Sequence, residues 1–248
     1  MKSHKEYISH VNNSRTVVVF IHGILEGPNQ FNDFIEIIDN KISVVNLLLP
    51  GHGGSGKDFR NSNMTEWKSY IYNIIVDLEM SYENIFIVGH SMGALLAVDA
   101  SLNYPKKIKG LFLLAIPICI HLQLTGVINS IKVAFNLVRK NDLIALAAKK
   151  VYSITTKNIL TFLTWIPRYI ELFKEANNTK NRISKIDILL IIYQSNEDEF
   201  VSNRTLNYIN NNDNIELHIL KKSKHFYYCD EERKIILNSF VNFIESNI

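Results

Sequence analysis

The sequence predicts an α/β protein: a mostly parallel, doubly wound sheet interrupted by an inserted run of helices. Three observations carry that expectation. Short apolar, β-branched runs recur along the chain, helical patterns separate them, and one long stretch, 117–185, breaks the alternation. The runs are 16–21, 42–49, 85–88, 111–115, 188–193 and 215–220. They are continuous rather than alternating, so most read as strands covered on both faces, as strands of a parallel sheet are.

The helices between them announce themselves by spacing and caps. Trp67, Ile71, Ile74, Ile75 and Leu78 share one helical face, with Asn63 as N-cap and Glu66 as its N3 partner. Asp230 is expected to cap a C-terminal helix whose core face carries Ile236, Phe240, Phe243 and Ile244. From 117 to 185 no strand is needed, and the segment reads as several amphipathic helices. The expected organisation is therefore a core of 1–116 and 186–248 with a helical cap at 117–185.

With 248 residues, 47% hydrophobic and 21% charged, the chain can fill one core and gives no sign of disorder. The start, MKSHKEYISH, has no apolar leader, and no apolar run approaches the roughly 18 residues that span a bilayer, so a cytoplasmic location is expected. Cys119 and Cys229 lack C-x-x-C spacing and are expected to be reduced and partly buried. The net charge of +3 is uneven: segment 117–185 has eleven Lys or Arg and three acids, a surplus of +8 that leaves −5 elsewhere. No basic block or interleaved aromatic set of the nucleic-acid kind is present.

The stretch PGHGGSGKD at 50–58 holds G-x-G-x-x-G and G-x-x-x-x-G-K together. A Walker A loop needs Ser or Thr after the Lys to hold Mg²⁺, and here that residue is Asp58. A dinucleotide fingerprint needs the third glycine to open a helix, whereas FRNSNM is a poor helix start. The stretch is expected to be a loop leaving its strand.

The chemistry lies in IFIVGHSMGALLAVDASLNYP: a buried strand, then Gly89-His90-Ser91-Met92-Gly93, then an Ala- and Leu-rich helix. G-x-S-x-G between strand and helix lifts a serine hydroxyl above the sheet on a strained turn. A serine needs a base, and the base an orienting acid. In this chain order the acid follows a late strand, and QSNEDEFVSN after 188–193 offers Asp198, with Glu197 as the rival. The base follows the last strand, and His225 in KKSKHFYYCD lies there. Met92 and Ile24, the latter in VVVFIHGILEG, are the expected backbone N–H donors to an oxyanion. His22, His52 and His90 sit beside glycines without metal-ligand spacing and read as loop-shaping residues, and His4, His10, His121 and His218 have ordinary surroundings.

With those residues in hand, the chain resembles the α/β-hydrolases, and most the branch of monoacylglycerol lipases and bacterial carboxylesterases. VVVFIHGILEG, LLLPGHGGSGKD, TEW, IVGHSMGA, NEDEFV and SKHF occur in that family's order over nearly the whole length. The resemblance implies Ser91 as nucleophile, Asp198 as acid and His225 as base, with no metal or cofactor. It also turns the glycine run into a loop near the site entrance. Ile24, Ser195 and Ala94 depart from the family's more usual aromatic, glycine and glycine. Segment 117–185 corresponds to the cap, where Phe162, Trp165 and Phe173 either line an acyl pocket or pack the cap. The implied activity is hydrolysis of a small acyl ester through an acyl-enzyme. Thioester, amide and carbon–carbon hydrolysis use the same residues, and a ligand receptor on this scaffold is the rival of another class. The cap's basic charge is either a solvated face or a contact for a membrane or lipid surface.

Overall fold

A computed structural model describes residues 4–38, 40–154, 156, 158–209 and 214–247. Lys157, one of the eleven cap cations, lies outside the described residues. Seven strands form one sheet: β1 (Tyr7–Ser9), β2 (Thr16–Ile21), β3 (Ser43–Asn46), β4 (Asn84–His90), β5 (Ile108–Leu114), β6 (Leu189–Ser195) and β7 (Ile215–Leu220). Their order is β1-β3-β2-β4-β5-β6-β7, with every pair parallel except the antiparallel pair of β1 and β3. β1 was not predicted: three residues at a solvated edge leave no apolar run to find.

The helices are α1 (Asn32–Ile38), α2 (Gly56–Asn61), α3 (Met64–Glu79), α4 (Met92–Asn103), α5 (Leu124–Ala134), α6 (Leu143–Val151), α7 (Ile166–Lys180) and α8 (Asp230–Glu245). The central strand β2 shows why the apolar runs do not alternate. Val17, Val19 and Ile21 face the layer of α3, α4 and α7, while Val18 and Phe20 face α1 and α8, and all are fully buried. On the second side Phe34, Phe112 and Phe240 meet at ring separations of 5.2–6.2 Å. α4 is buried on nearly every side, which is why its sequence is rich in Ala and Leu without a polar face.

Local signals decide the helix starts. Asn63 caps α3 by accepting the Glu66 N–H at 2.9 Å, as its sequence predicts. At α8 the cap position is Cys229, and Asp230 is instead the first helical residue, where with Glu231 and Glu232 it complements the positive helix end. The glycine run is also corrected. Gly56 does open a short helix, because Ser55 and Asp58 form a reciprocal capping box that outweighs the weak propensity of the residues that follow. Asp58, the residue that spoils the Walker pattern, fills the helix N-terminus with its own carboxylate.

Between β5 and β6 the helices have different company. α5 and α6 form a hairpin joined by Lys132 and Asp142 at 2.7 Å. α7 instead joins the α3–α4 layer through Lys68–Glu175 at 2.7 Å, and Arg182, just past its end, reaches Asp99 at 2.7 Å. Cys119 and Cys229 are free and half-buried, as expected. No helix among the described residues is long and apolar enough to cross a membrane.

Candidate active site

The parallel register brings Ile21, Gly89, Leu114, Ser195 and Leu220 to one edge of the sheet, so the loops that follow these strands meet above it. Ser91, between β4 and α4, has φ 53° and ψ −122°, a left-handed conformation that a serine holds only where its surroundings impose it. Its N–H donates to the Leu114 carbonyl at 3.0 Å, and its own carbonyl accepts the Ala94 N–H at 2.9 Å. Gly93 permits this, since a Cβ there would stand 1.9 Å from the Ile21 carbonyl oxygen. α4 can then press against the end of β2, and Ser91 comes beside Gly23, where a Cβ would lie 2.8 Å from that of Ser91.

Ser91 Oγ lies 3.2 Å from His225 Nε2, and His225 Nδ1 lies 2.8 Å from Asp198 Oδ2. With Nδ1–H donating to the carboxylate, Nε2 is left to accept the hydroxyl proton. Asp198 Oδ1 accepts the N–H groups of Phe200 and Val201, both at 2.8 Å. Glu197 points away and pairs with Lys224 at 3.0 Å, so of the two acids it is Asp198 that reaches His225. Ser91 is 6% exposed and the other two are buried.

Charge and burial oppose one another here. Burial alone would lower the His225 pKa, but the carboxylates of Asp198, Glu26 and Glu199 outweigh it and hold the imidazole above its ordinary 6.5. Burial would likewise raise Asp198, yet the neighbouring imidazole and the bonds from His225, Phe200 and Val201 keep it below the usual carboxylate value. The pair thus favours imidazolium beside carboxylate, the state a serine's attack creates.

Three further residues, none singled out by spacing as part of the site, hold the His225 loop. Glu199 accepts the His225 N–H at 3.0 Å, and His90 Nε2 donates to the His225 carbonyl at 3.0 Å. His90 Nδ1 in turn lies 2.9 Å from both oxygens of Glu26, and Glu26 accepts the Gly23 N–H at 2.9 Å. One proton must sit on Nε2 and one between Nδ1 and the carboxylate, so this buried pair holds two protons whichever partner owns the shared one. His90 is therefore a strut between two loops rather than only a turn residue. Its proximity to glycine was legible, but its partner, 64 residues away, was not.

The Gly23–Glu26 turn closes through Glu26 N–H to Gly23 C=O at 3.2 Å, with Leu25 at φ 63°. Neither the Ile24 nor the Met92 amide makes a hydrogen bond among the described residues. Met92 directly follows Ser91 in the chain, and Ile24 follows Gly23, the residue that lies beside Ser91. His22 donates from Nδ1 to the Gly23 carbonyl at 2.9 Å and accepts the Leu49 N–H on Nε2 at 3.1 Å, which fixes it neutral. Burial lowers its pKa well below 6.5 and that of His52, packed between His22, Phe59 and Trp67, to about 4.

The cap aromatics divide. Trp165 is buried, donates to the Gly56 carbonyl at 2.9 Å and meets Phe59 edge-on at 5.3 Å, with the tilted ring of Phe162 beside it at 4.7 Å. These contacts make Trp165 a tie between the inserted segment and α2. Phe173 is half exposed on α7. Among the described residues one group offers metal-ligand atoms close together, Glu26, His90 and His225, within 4.8 Å of one another. Each of those atoms already has one of the hydrogen-bond partners described above.

A family model described as serine aminopeptidase, S33, matches residues 12–232. Among curated proteins the chain is similar to a kynurenine formamidase of Meyerozyma guilliermondii, 29% identical over 109 residues. It is also similar to a pimeloyl-[acyl-carrier protein] methyl ester esterase of Wigglesworthia glossinidia brevipalpis, 31% identical over 104 residues. These matches cover 41% of this chain and only 39% and 37% of those proteins. A solved structure from a study of two metagenome-derived lipolytic enzymes, LipS and LipT, superposes over 99% of both chains with a TM-score of 0.77 at 21% identity, a likeness of fold.

Proposed function

The chain belongs to the serine aminopeptidase S33 family and has the α/β-hydrolase fold, and from that premise we propose a serine hydrolase that cleaves carboxylic esters through an acyl-enzyme. The observation that carries the reading is the hydrogen-bonded file Ser91–His225–Asp198 at the carboxyl edge of the sheet. Ser91 Oγ attacks the ester carbonyl while its proton passes to His225 Nε2. The Ile24 and Met92 amides receive the oxyanion, and the tetrahedral adduct collapses as His225 returns the proton to the departing alkoxide. Water then repeats the sequence on the acyl-enzyme, releasing the carboxylic acid and restoring Ser91. Asp198 stays ionised and holds the imidazole in the productive tautomer.

An ester is preferred because one relative is named a methyl ester esterase and the fold is shared with lipolytic enzymes. The second reading is amide hydrolysis, favoured by the similarity to a formamidase. The test is hydrolysis of p-nitrophenyl esters from acetyl to palmitoyl by the wild type and Ser91→Ala, with amino-acyl p-nitroanilides as the amide arm. Turnover of esters that Ser91→Ala loses supports the proposal, and the preferred chain length measures acyl-pocket depth. Turnover confined to anilides would replace it with the amide reading.

A further inference from the structure

Helix α5 is apolar on two opposite faces. Its inner face, Gly126, Ser130 and Val133, closes on Tyr152, α6 and Phe226, beside His225. Its outer face carries Leu124, Ile128, Ile131 and Phe135, spaced i, i+4, i+7 and i+11, which at 100° per residue occupy about 60° of arc. These four are 73%, 43%, 44% and 36% exposed. A helix packed on a globular core needs only one apolar stripe, and nothing among the described residues covers this second one. The loop that follows and the start of α6 extend it with Leu137 and Leu143, both more than half exposed. Twelve of the eighteen large apolar residues exposed among the described residues fall within 122–173, so the feature is a concentration and not the scatter normal to a protein surface.

The same hairpin is cationic. Residues 122–151 contain Lys132, Arg139, Lys140, Lys149 and Lys150 against the single acid Asp142. Asp142 is taken by Lys132, and Lys150 reaches Asp33 at 3.4 Å. Arg139, Lys140 and Lys149 form no salt bridge among the described residues, Arg139 acting on Asp142 only at longer range and Lys149 donating to the neutral Asn136 side chain.

We infer that the outer face of the α5–α6 hairpin docks on an anionic phospholipid surface, with the apolar stripe in the acyl boundary and Arg139, Lys140 and Lys149 at the headgroups. An apolar stripe flanked by cations is the pattern of a helix lying in a membrane interface. A second copy of the chain fits less well, since a twofold contact would bring two sets of unpaired cations together with no acid to meet them.

The experiment is flotation of the full chain with vesicles of phosphatidylcholine alone and of phosphatidylcholine with about 30% phosphatidylserine, at low and high salt. Wild type and Ser91→Ala should float alike with the anionic vesicles, so the result does not depend on the ester reading. Each basic side chain near such a surface is worth about fivefold in partitioning, so Arg139→Glu/Lys140→Glu should lose at least about tenfold. Ile128→Ser/Ile131→Ser should lose as much while hydrolysing a soluble short-chain ester like the wild type. Absence of flotation, or flotation indifferent to lipid charge and to both variants, overturns the inference. So does a concentration-dependent dimer that Ile128→Ser/Ile131→Ser abolishes, which would assign the face to a second copy.

Discussion

Replacing Glu26 by Gln and by Ala separates a hydrogen-bonded strut from mere bulk. In Glu26→Gln the amide oxygen can accept the Gly23 N–H and the amide nitrogen can donate to His90 Nδ1, leaving His90 neutral with its Nε2–H still on the His225 carbonyl. Every bond of the wild-type pair has a counterpart. The cost is the difference between charge-assisted and neutral bonds, about 1 kcal/mol. Glu26→Ala instead orphans the Gly23 N–H and His90 Nδ1 in a buried site at about 1–3 kcal/mol each, and leaves a cavity, for a total of about 4 kcal/mol. Activity should follow the same split, because Glu26 fixes the turn before the Ile24 amide and, through His90, the His225 loop. A displacement near 1 Å costs about 100-fold, so Glu26→Ala should lose roughly that in kcat/KM while Glu26→Gln stays within several-fold. Urea unfolding at pH 7 and hydrolysis of p-nitrophenyl butyrate read both quantities. Equal damage by Gln and Ala would refute the hydrogen-bond account and make the charge itself the requirement; an undamaged Ala variant would refute the strut.

Two pH dependences follow. The kcat/KM for ester hydrolysis should rise with pH through a half-point above 6.5, because His225 must be neutral to act as base and its carboxylate neighbours raise its pKa; a half-point at or below 6.5 contradicts that electrostatic picture. Stability should fall as pH drops from 6.5 toward 4, because the unfolded chain takes up protons that buried His22 and His52 refuse. His52 alone accounts for about 3 kcal/mol over that window, read as a shift in urea midpoint, while the raised His225 stabilises below 6.5 and loses its contribution only above it. A midpoint unchanged between pH 7 and 4.5 would show that neither histidine is held neutral.

The parts of this molecule that sequence could reveal are those whose cause is local. β2 and β7 have the predicted bounds because doubly buried or edge strands of branched residues are bounded by polar turns. The G-x-S-x-G turn could be located because its strand, its glycines and its helix are contiguous. Ser91, His225 and Asp198 could be found because each follows a strand at a fixed edge of the sheet. What escaped was reciprocal or distant. The capping box at Ser55 and Asp58 reversed the reading of a weak helix start, and Glu26, Glu199 and His90 act through partners 26 to 135 residues away. The fate of Trp165 depended on a carbonyl 109 residues earlier, which no spacing rule contains.

The separation of Ser91 from His225 by 134 residues, with three strands added to the sheet between them, has a consequence for biosynthesis. On the proposed mechanism, Ser91 stands on a turn that β2, β4 and β5 can already impose, but its base arrives only with the loop beyond β7. Non-local strand pairing is slow relative to local structure. Until β6 and β7 dock, Ser91 has no His225 beside it, so the proposed hydrolytic activity reports that these last strands have joined the sheet.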